Sequence, residues 1–576
     1  MNVKLSHEFD FCVVGGGMAG LCAAISAARE GAKVALVHDR PVFGGNSSSE
    51  IRVHICGADR HGKIPNVRET GILEELRLEN LRRNPQRSFS IWDTVLYEKV
   101  AEEPNLTYFL NCSCLDAKMD GPRIRSITGW QLTTQTYHTI EAKVFADCSG
   151  DAILAPLTGA EFRVGREARS EYGESIEPEV ADSKTMGMTC LFQARDTGTP
   201  QPFEPPSWAY DFPSEDDLPH RHHGWLEMGY WWIELGGEDD SIHDTEKIRD
   251  ELLRIVFGMW DHLKNHGDHG AENWALDWIG FLPGKRESRR YIGDHVLTQN
   301  DVESEGRFPD VVAYGGWTMD DHHPGGFRYK GPPTIFHPAP SPYGIPYRCL
   351  YSRNVENLMF AGKCASMSHA AMSSTRVMGT ASVMGQAVGT AAAIAVKNGL
   401  LPRQVGERHV GDLQQSLVRQ DCYLPWVRQK LSEMNERADL RASTGDPEPL
   451  RDGINRPVGE DQHAWEGRVG DSVEYTWPTP RIVSSATLIF DSALSKLIAM
   501  SYHQRDNQLT HVPEEIAKNF RIEVSTPDGW KLWKNVRGNH QRLAKIGIGI
   551  PAAGVRATFD STWGAEKVRV YAFYVD

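Results

Sequence analysis

The 576-residue chain has no excess of positive charge: 77 acidic residues stand against 62 Lys and Arg, a formal net charge of −15. That balance excludes a general affinity for nucleic acid or anionic membranes. It has no basic start followed by an apolar stretch, so no leader peptide is read at the N-terminus. Its ten cysteines include no CxxC pair, Cys112 and Cys114 being only two apart. A reduced, cytoplasmic protein is the expectation. Only one apolar run is long enough to cross a bilayer, residues 377–396. Gln386 and several Thr, Ser and Gly interrupt it, which predicts a helix buried in the protein and no membrane partner.

The most informative segment comes first. Residues 9–14, FDFCVV, read as a strand that runs into GGGMAG, where Gly15, Gly17 and Gly20 satisfy G-x-G-x-x-G. An alanine-rich helix and a second strand, KVALVH, follow. This strand–turn–helix–strand unit is the dinucleotide fingerprint of a Rossmann-type fold. Gly15 permits the turn, Gly17 lets the backbone approach a pyrophosphate, and Gly20 lets helix and strand pack closely. The amides and dipole at the helix start attract the phosphate charge. An acidic residue normally ends the second strand and holds the ribose; here His38 occupies that place and Asp39 follows. Either Asp39 takes the contact or His38 donates to a ribose oxygen.

Three further segments favour FAD over NAD. Residues 39–52, DRPVFGGNSSSEIR, resemble the GG-plus-serine loop of FAD-dependent oxidoreductases, which makes Arg40, Gly44, Gly45, Asn46 and Ser49 candidate cofactor contacts. Residues 144–151, VFADCSGD, resemble the segment that returns to the FAD site through Gly150 and Asp151. Between them, residues 106–145 alternate as the short strands of a small β-meander. Far downstream a strand, 358–361, ends at Gly362, and a helix of small residues is expected to start near Arg376. In FAD folds of the glutathione-reductase type such an element closes the flavin site. A cation at a helix start opposes the dipole, so Arg376 is a candidate cofactor or substrate contact. Gly385 and Gly389, four apart, would let that helix pack closely. No second G-x-G-x-x-G follows, so the electron acceptor or donor is expected to be external.

On these segments, together with RVHICGADRHG, LPGKRESRRYIGDHVLTQND (282–301) and PYGIPYRCLY (342–351), the chain resembles the bacterial FAD-dependent oxidoreductases, some loosely labelled "xanthan lyase". The resemblance covers most of residues 8–400. It implies an α/β fold: a Rossmann-type FAD-binding domain (1–165 and 341–400) with an inserted α+β cap (166–340). A helical region (401–450), with a linker around 445–460, leads to alternating runs such as SVEYTW and KVRVYAFYV. Those runs predict an all-β sandwich over 451–576, similar to galactose-binding-like modules. A packing role for it is favoured over carbohydrate binding.

A flavin enzyme needs a group that handles a proton while a hydride passes to or from flavin N5. His54 and His369 lie in segments expected to approach the flavin and are the candidate bases. Arg286 and Arg289, in the RESRR run with Arg290, are a candidate anion clamp beside the active site, as the resemblance implies. Tyr343, Tyr347 and Arg348 are placed above the pocket. Histidine clusters at 220–223, 262–269 and 322–323 carry neither an HExxH glutamate nor a cysteine. They are read as surface or pocket-lining, and no metal is expected.

The leading expectation is an oxidoreductase of a small polar, carbohydrate-derived substrate, a sugar or glycoside. The tryptophans of the cap, Trp231, Trp232 and Trp317 among them, suit stacking on sugar rings as well as they suit a core. The alternatives are a fumarate-reductase-like reductase of an unsaturated acid, a flavin-assisted lyase or isomerase, and a carbohydrate-binding protein with a structural flavin.

Overall fold

The structure is a computed structural model that describes residues 3–457, 459, 463–501 and 508–576. Its N-terminal part forms a seven-stranded sheet. β1 (Val3–Val14) leads through helix α1 (Met18–Arg29) to β2 (Val34–Val37), and β3 (Leu106–Phe109) lies beyond β2. β4 (Cys112–Asp120), β5 (Arg123–Gln131) and β6 (Thr136–Asp147) complete the order β3-β2-β1-β6-β5-β4. The β1, β2 and β3 pairings and the β1–β6 pairing are parallel, whereas β4–β5–β6 is antiparallel.

β6 serves both halves. Its first part, from Thr136 to Glu141, pairs with β5, and its last three residues pair in parallel with Leu358–Phe360. The segment expected to return to the cofactor is therefore the end of a meander strand, and β3 belongs to the parallel sheet instead of the meander. A strand of twelve residues is long enough to carry both pairings, which two short apolar runs in the sequence do not reveal.

The Met378–Asn398 helix, the apolar run noted above, is buried across α1. A Cβ on Gly385 would come within 2.0 Å of the Ala19 carbonyl oxygen, and one on Gly389 within 2.1 Å of that of Ala23. The two glycines thus allow helix to lie on helix at backbone contact, and small residues on both sides fill the seam.

The inserted segment has its own core, built from Met188, Phe192, Trp232, Leu252, Trp260 and their neighbours around the Thr245–Asn265 helix. This core does not reach residue 340. Leu297, Val302, Val312, Ala313 and Met319 pack into the core of the nucleotide-binding sheet, and Val311–Gly315 pairs with Tyr343–Pro346. Residues 297–319 of the expected cap thus pack with the nucleotide-binding sheet.

The C-terminal all-β unit is antiparallel, with the order 465–468, 567–575, 472–490, 543–562, 517–526, 529–536. Asp439–Ala442 also pairs with the Ser472–Phe490 strand, so the sandwich begins before the expected linker. Residues 458 and 460 of that linker lie outside the described residues. Arg68 is fully buried at the junction of the two units and donates to the carbonyls of Ser492, Ala493 and Lys496 while pairing with Glu74. Arg542 pairs with Asp421 across the same junction.

Candidate active site

The glycine fingerprint takes its geometry from steric exclusion. Gly15 sits at φ +105°, and a Cβ there would meet the Cys148–Ser149 backbone at 2.5 Å. A Cβ on Gly20 would lie 1.8 Å from the Gly15 carbonyl oxygen. Gly17, the N-cap of α1, has only Gly45 Cα near its Cβ direction, at 3.9 Å, and no side chain caps the helix. Gly44 and Gly45, both at positive φ, bring the second glycine loop against Gly17. Uncapped amides beside a side-chain-free groove suit a pyrophosphate. Gly362, at φ +86°, lies where the starts of α1 and the Met378–Asn398 helix converge on Ala19 and Ala381.

The neighbouring side chains divide into two kinds. His38 is engaged by the protein: Gly16 N–H donates to Nδ1, and Nε2 donates to the Val42 carbonyl. Burial lowers its pKa to about 4, partly opposed by Asp39, so the ring is neutral. It braces the glycine loop and has no donor left for a ribose, which leaves Asp39, largely exposed, as the nearer candidate. Arg40 Nη1 and Glu50 Oε2 are buried without hydrogen bonds and face each other at 3.8 Å. Unsatisfied polar atoms beside the end of β2 fit the adenosine half of a dinucleotide. Asn46 donates to the Lys285 carbonyl and the Ser49 amide donates to Asp93, so both fasten the loop. Gly150, at φ +82°, turns the chain to Asp151, which pairs with Lys285 at 2.8 Å and Lys363 at 3.3 Å. Asp151 therefore ties the cap segment to the sheet.

Next to this groove, residues 52–66 contain four non-glycine residues at positive φ: Arg52, Arg60, His61 and Asn66. Strained backbone of this kind persists only where its surroundings hold it. Here Arg60 donates to the carbonyls of Gly316 and Ala339. The result is a cluster: His54 Nε2 lies 3.0 Å from His61 Nε2, and Cys56 Sγ lies 3.6 Å and 3.4 Å from the same two nitrogens. The Trp317 ring meets His61 edge-on at 5.1 Å. Burial raises the Cys56 thiol to about 12, with Asp59 adding to it, so it stays protonated. Burial lowers the His61 pKa, against the pull of Asp59. A small apolar cavity of about 20 Å³ beside His54 is lined by Phe89, Trp92 and, from the C-terminal unit, Ile498 and Met500.

A polar chain runs from this cluster into the cap. Arg376 pairs with Asp320 (3.1 Å), Asp320 with His322 (3.3 Å), His322 with Glu234 (2.6 Å), and Glu234 with Arg286 (3.4 Å). Trp317 Nε1 and Arg376 Nε are buried donors without a partner. Arg376 itself stands between two helices, His369–Thr375 and Met378–Asn398, close to where a helix start was expected.

Several expectations are corrected. His369 is 1% exposed, its Nδ1 2.9 Å from Glu287 and its Nε2 3.2 Å from Asp321. Burial works against its charge, but the two carboxylates outweigh burial and hold its pKa well above the ordinary value. An imidazolium with both nitrogens engaged is no base; it positions the helix start. The arginines form no open clamp. Arg286 donates to Thr189 and the Trp231 carbonyl besides pairing with Glu234. Arg289 lies over the Phe162 ring, and Arg290 is buried between Glu167 and Glu287. Tyr343 and Tyr347 are core residues bonded to Ser374 and Pro402, and Arg348 pairs with Asp310. Cys56, His61, Glu234 and Asp320 escaped the sequence reading, although H-x-C-x4-H was visible at 54–61.

A sheet whose β1, β2, β3 and β6 strands run parallel, a glycine groove that a side chain would fill and a polar chain leading into the inserted segment are the features of a cofactor-dependent redox enzyme. The sequence matches the family described as FAD dependent oxidoreductase over residues 10–417, and the chain belongs to that family. No curated protein matches it. Among solved structures, a geranylgeranyl bacteriochlorophyll reductase-like protein from Thermoplasma acidophilum is 12% identical, covering 72% of this chain and 86% of its own, at a TM-score of 0.35. The quinol fumarate reductase FrdA of E. coli is 14% identical over 72% and 74%, at 0.29. The family 32 carbohydrate-binding module of Streptococcus pneumoniae EndoD is 19% identical, covering 24% of this chain and 95% of its own, at 0.19.

Proposed function

We propose that this enzyme oxidises a hydroxyl group on a small carbohydrate-derived substrate, or reduces the corresponding carbonyl, with the His54–His61 pair handling the proton. Bound FAD supplies the two-electron partner at flavin N5. The observation that carries the reading is the 3.0 Å contact between two imidazole Nε2 atoms. One of those nitrogens must be unprotonated for the bond to exist. The ring whose Nε2 donates takes up the hydroxyl proton at Nδ1 and the accepting neighbour stabilises its charge, while the C–H hydride goes to the flavin.

The polar chain from Arg376 to Arg286 supports a polyhydroxylated substrate, because it alternates donors and acceptors with little uncompensated charge. Trp231, 38% exposed, meets the His322 ring edge-on at 5.4 Å and offers a face for a sugar ring beside that chain. The alternative, reduction of an unsaturated carboxylic acid, loses the RESRR arginines as a clamp. It keeps one point of support, the unpartnered Nε of Arg376.

The test is an anaerobic absorption titration of the purified protein with sugars, uronic acids and glycosides. Bleaching of the oxidised flavin band by one of them is the expected result. If none bleaches it and an unsaturated acid restores the band to chemically reduced enzyme, the reductase reading replaces this one. A protein that stays colourless after incubation with FAD overturns both and leaves a binding module.

A further inference from the structure

The cap brings together histidines that the sequence scatters. His223 comes from the irregular segment after a short helical turn (Glu215–Asp217) that supplies Glu215; His262 is in the last turn of the Thr245–Asn265 helix; His269 follows it. The ring centroids lie 5.1 Å (His223–His262), 5.1 Å (His223–His269) and 4.8 Å (His262–His269) apart. Glu215 Oε1 lies 3.2, 3.5 and 3.7 Å from the Nε2 atoms of His223, His262 and His269. One ligating atom from each of the four residues falls within 4.8 Å of all the others.

From this arrangement we infer that the cap holds a divalent transition metal, of zinc type, on His223, His262, His269 and Glu215. Four ligands at about 2.0–2.1 Å in a tetrahedron stand about 3.4 Å apart, which is the spacing found around Glu215 Oε1. The tautomers are set for ligation. His262 Nδ1 and His223 Nδ1 each lie 2.7 Å from a backbone carbonyl, of Phe212 and Arg221. A carbonyl only accepts, so both Nδ1 atoms carry the hydrogen and both Nε2 atoms present lone pairs to the centre. His262 Nε2 is the telling atom: its residue is 1% exposed, yet that nitrogen has no hydrogen-bond partner. His269 Nε2 donates to the His266 carbonyl at 3.1 Å, a bond the ion replaces. Three imidazoles and one carboxylate, without thiolate, suit zinc over softer ions.

The site is a staple. It joins the chain before Trp231 and Trp232 to the end of the cap helix, and Trp232 Nε1 donates to the His222 carbonyl next to the ligand His223. Trp231 and its carbonyl, which receives Arg286, are held in place by the same segment. The metal thus holds the segment that carries Trp231 and receives Arg286, and the inference stands whichever substrate is found.

The experiment is metal analysis of the full chain purified without a polyhistidine tag, followed by chelation and titration with Zn2+ or Co2+ alone. One zinc per chain, the visible bands of tetrahedral Co2+, and a thermal midpoint raised by zinc are expected. Affinity falls about 10–100-fold or more in His223→Ala and in the solvent-facing Glu215→Gln, with flavin content unchanged. A chain that takes up no stoichiometric zinc or cobalt overturns the inference, and so does equal binding by wild type and both variants.

Discussion

His54 and His61 share a hydrogen bond between their Nε2 atoms at 3.0 Å, and His61 is held there at a backbone φ of +59°. Left-handed backbone at a non-glycine residue costs of order 1–3 kcal/mol. The ring is held against His54 and Cys56 at that cost.

Replacing His61 with Asn, which tolerates positive φ, separates the ring from the backbone. His61→Asn and His54→Asn are each expected to lower the rate of flavin reduction by about 10²–10⁴-fold while flavin content stays normal. The pH profile gives a second readout. Because burial lowers the His61 pKa and the neutral ring is the working form, the rate should rise with pH through a point below 6.5 and stay level above it. A limb centred above 6.5 would exclude His61 as the titrating group.

His369 tests the opposite electrostatics. His369→Gln leaves Glu287 and Asp321 without their shared cation, and a loss of about 3–5 kcal/mol in denaturant unfolding is expected. The pH dependence has a definite sign. The folded-state pKa of His369 is raised, so its contribution is complete below about 6.5 and is lost as pH rises through the folded value. Glu177 is raised to about 7, by burial and then by Glu167 and Glu174, with His369 pulling the other way. Its protonated form is the stable one in the fold, so stability is also lost as pH rises from 4.5 through 7. Thermal midpoints should fall from pH 5 to pH 8, and Glu177→Gln should flatten the lower part of that slope. A midpoint that rises over this range would show that neither group dominates.

The cofactor fold was legible because its signals are local. The turn at Gly15, the helix behind Gly20 and the close approach at Gly385 and Gly389 each depend on a missing side chain, and a missing side chain is written in the sequence. The polar chain and the ion pairs around it were not legible in the same way. His369 and Arg290 sit in segments that suggest chemistry, but whether a cation is available depends on partners 82 and 123 residues away, Glu287 for one and Glu167 for the other. Likewise Glu215 and His223 gain meaning only when the cap helix brings His262 to them. Pairing across long separations leaves no periodicity to read. Residues 297–319 pack with the nucleotide-binding sheet for a related reason: their apolar side chains suit either core, and the partner strand Tyr343–Pro346 decides.

The helix seam gives a stability prediction. Gly389→Val puts a branched side chain against the Ala23 backbone, where even a Cβ would stand 2.1 Å from the carbonyl oxygen. Backbone cannot yield as a flexible side chain does, so the helices must separate. At least the 1–3 kcal/mol typical of overpacking should be lost, together with part of the bound FAD, because α1 carries the glycine groove. Calorimetry and the ratio of flavin to protein absorbance check it. Gly399→Ala at the helix C-terminus, with nothing within 4 Å of its Cβ but φ at +63°, serves as a control that strains the backbone without touching α1.

Arg68 decides whether the C-terminal unit is an appendage or part of the enzyme. Its guanidinium joins Glu74 of the nucleotide-binding part to three carbonyls from residues 492–496, and it is wholly buried. Arg68→Met keeps the volume and removes the charge, leaving Glu74 buried without its partner. Breaking a buried pair in this way costs about 3–5 kcal/mol. The sandwich has its own core, so it should survive as a separate calorimetric transition when the docking fails. Ile498 and Met500, which line the cavity beside His54, would move with it. The expected signature is therefore joint: two resolved melting transitions where the wild type shows one, and a fall in turnover although no residue of the flavin groove has changed. Separate melting with full activity would instead make the sandwich an independent module, free to serve a binding role of its own.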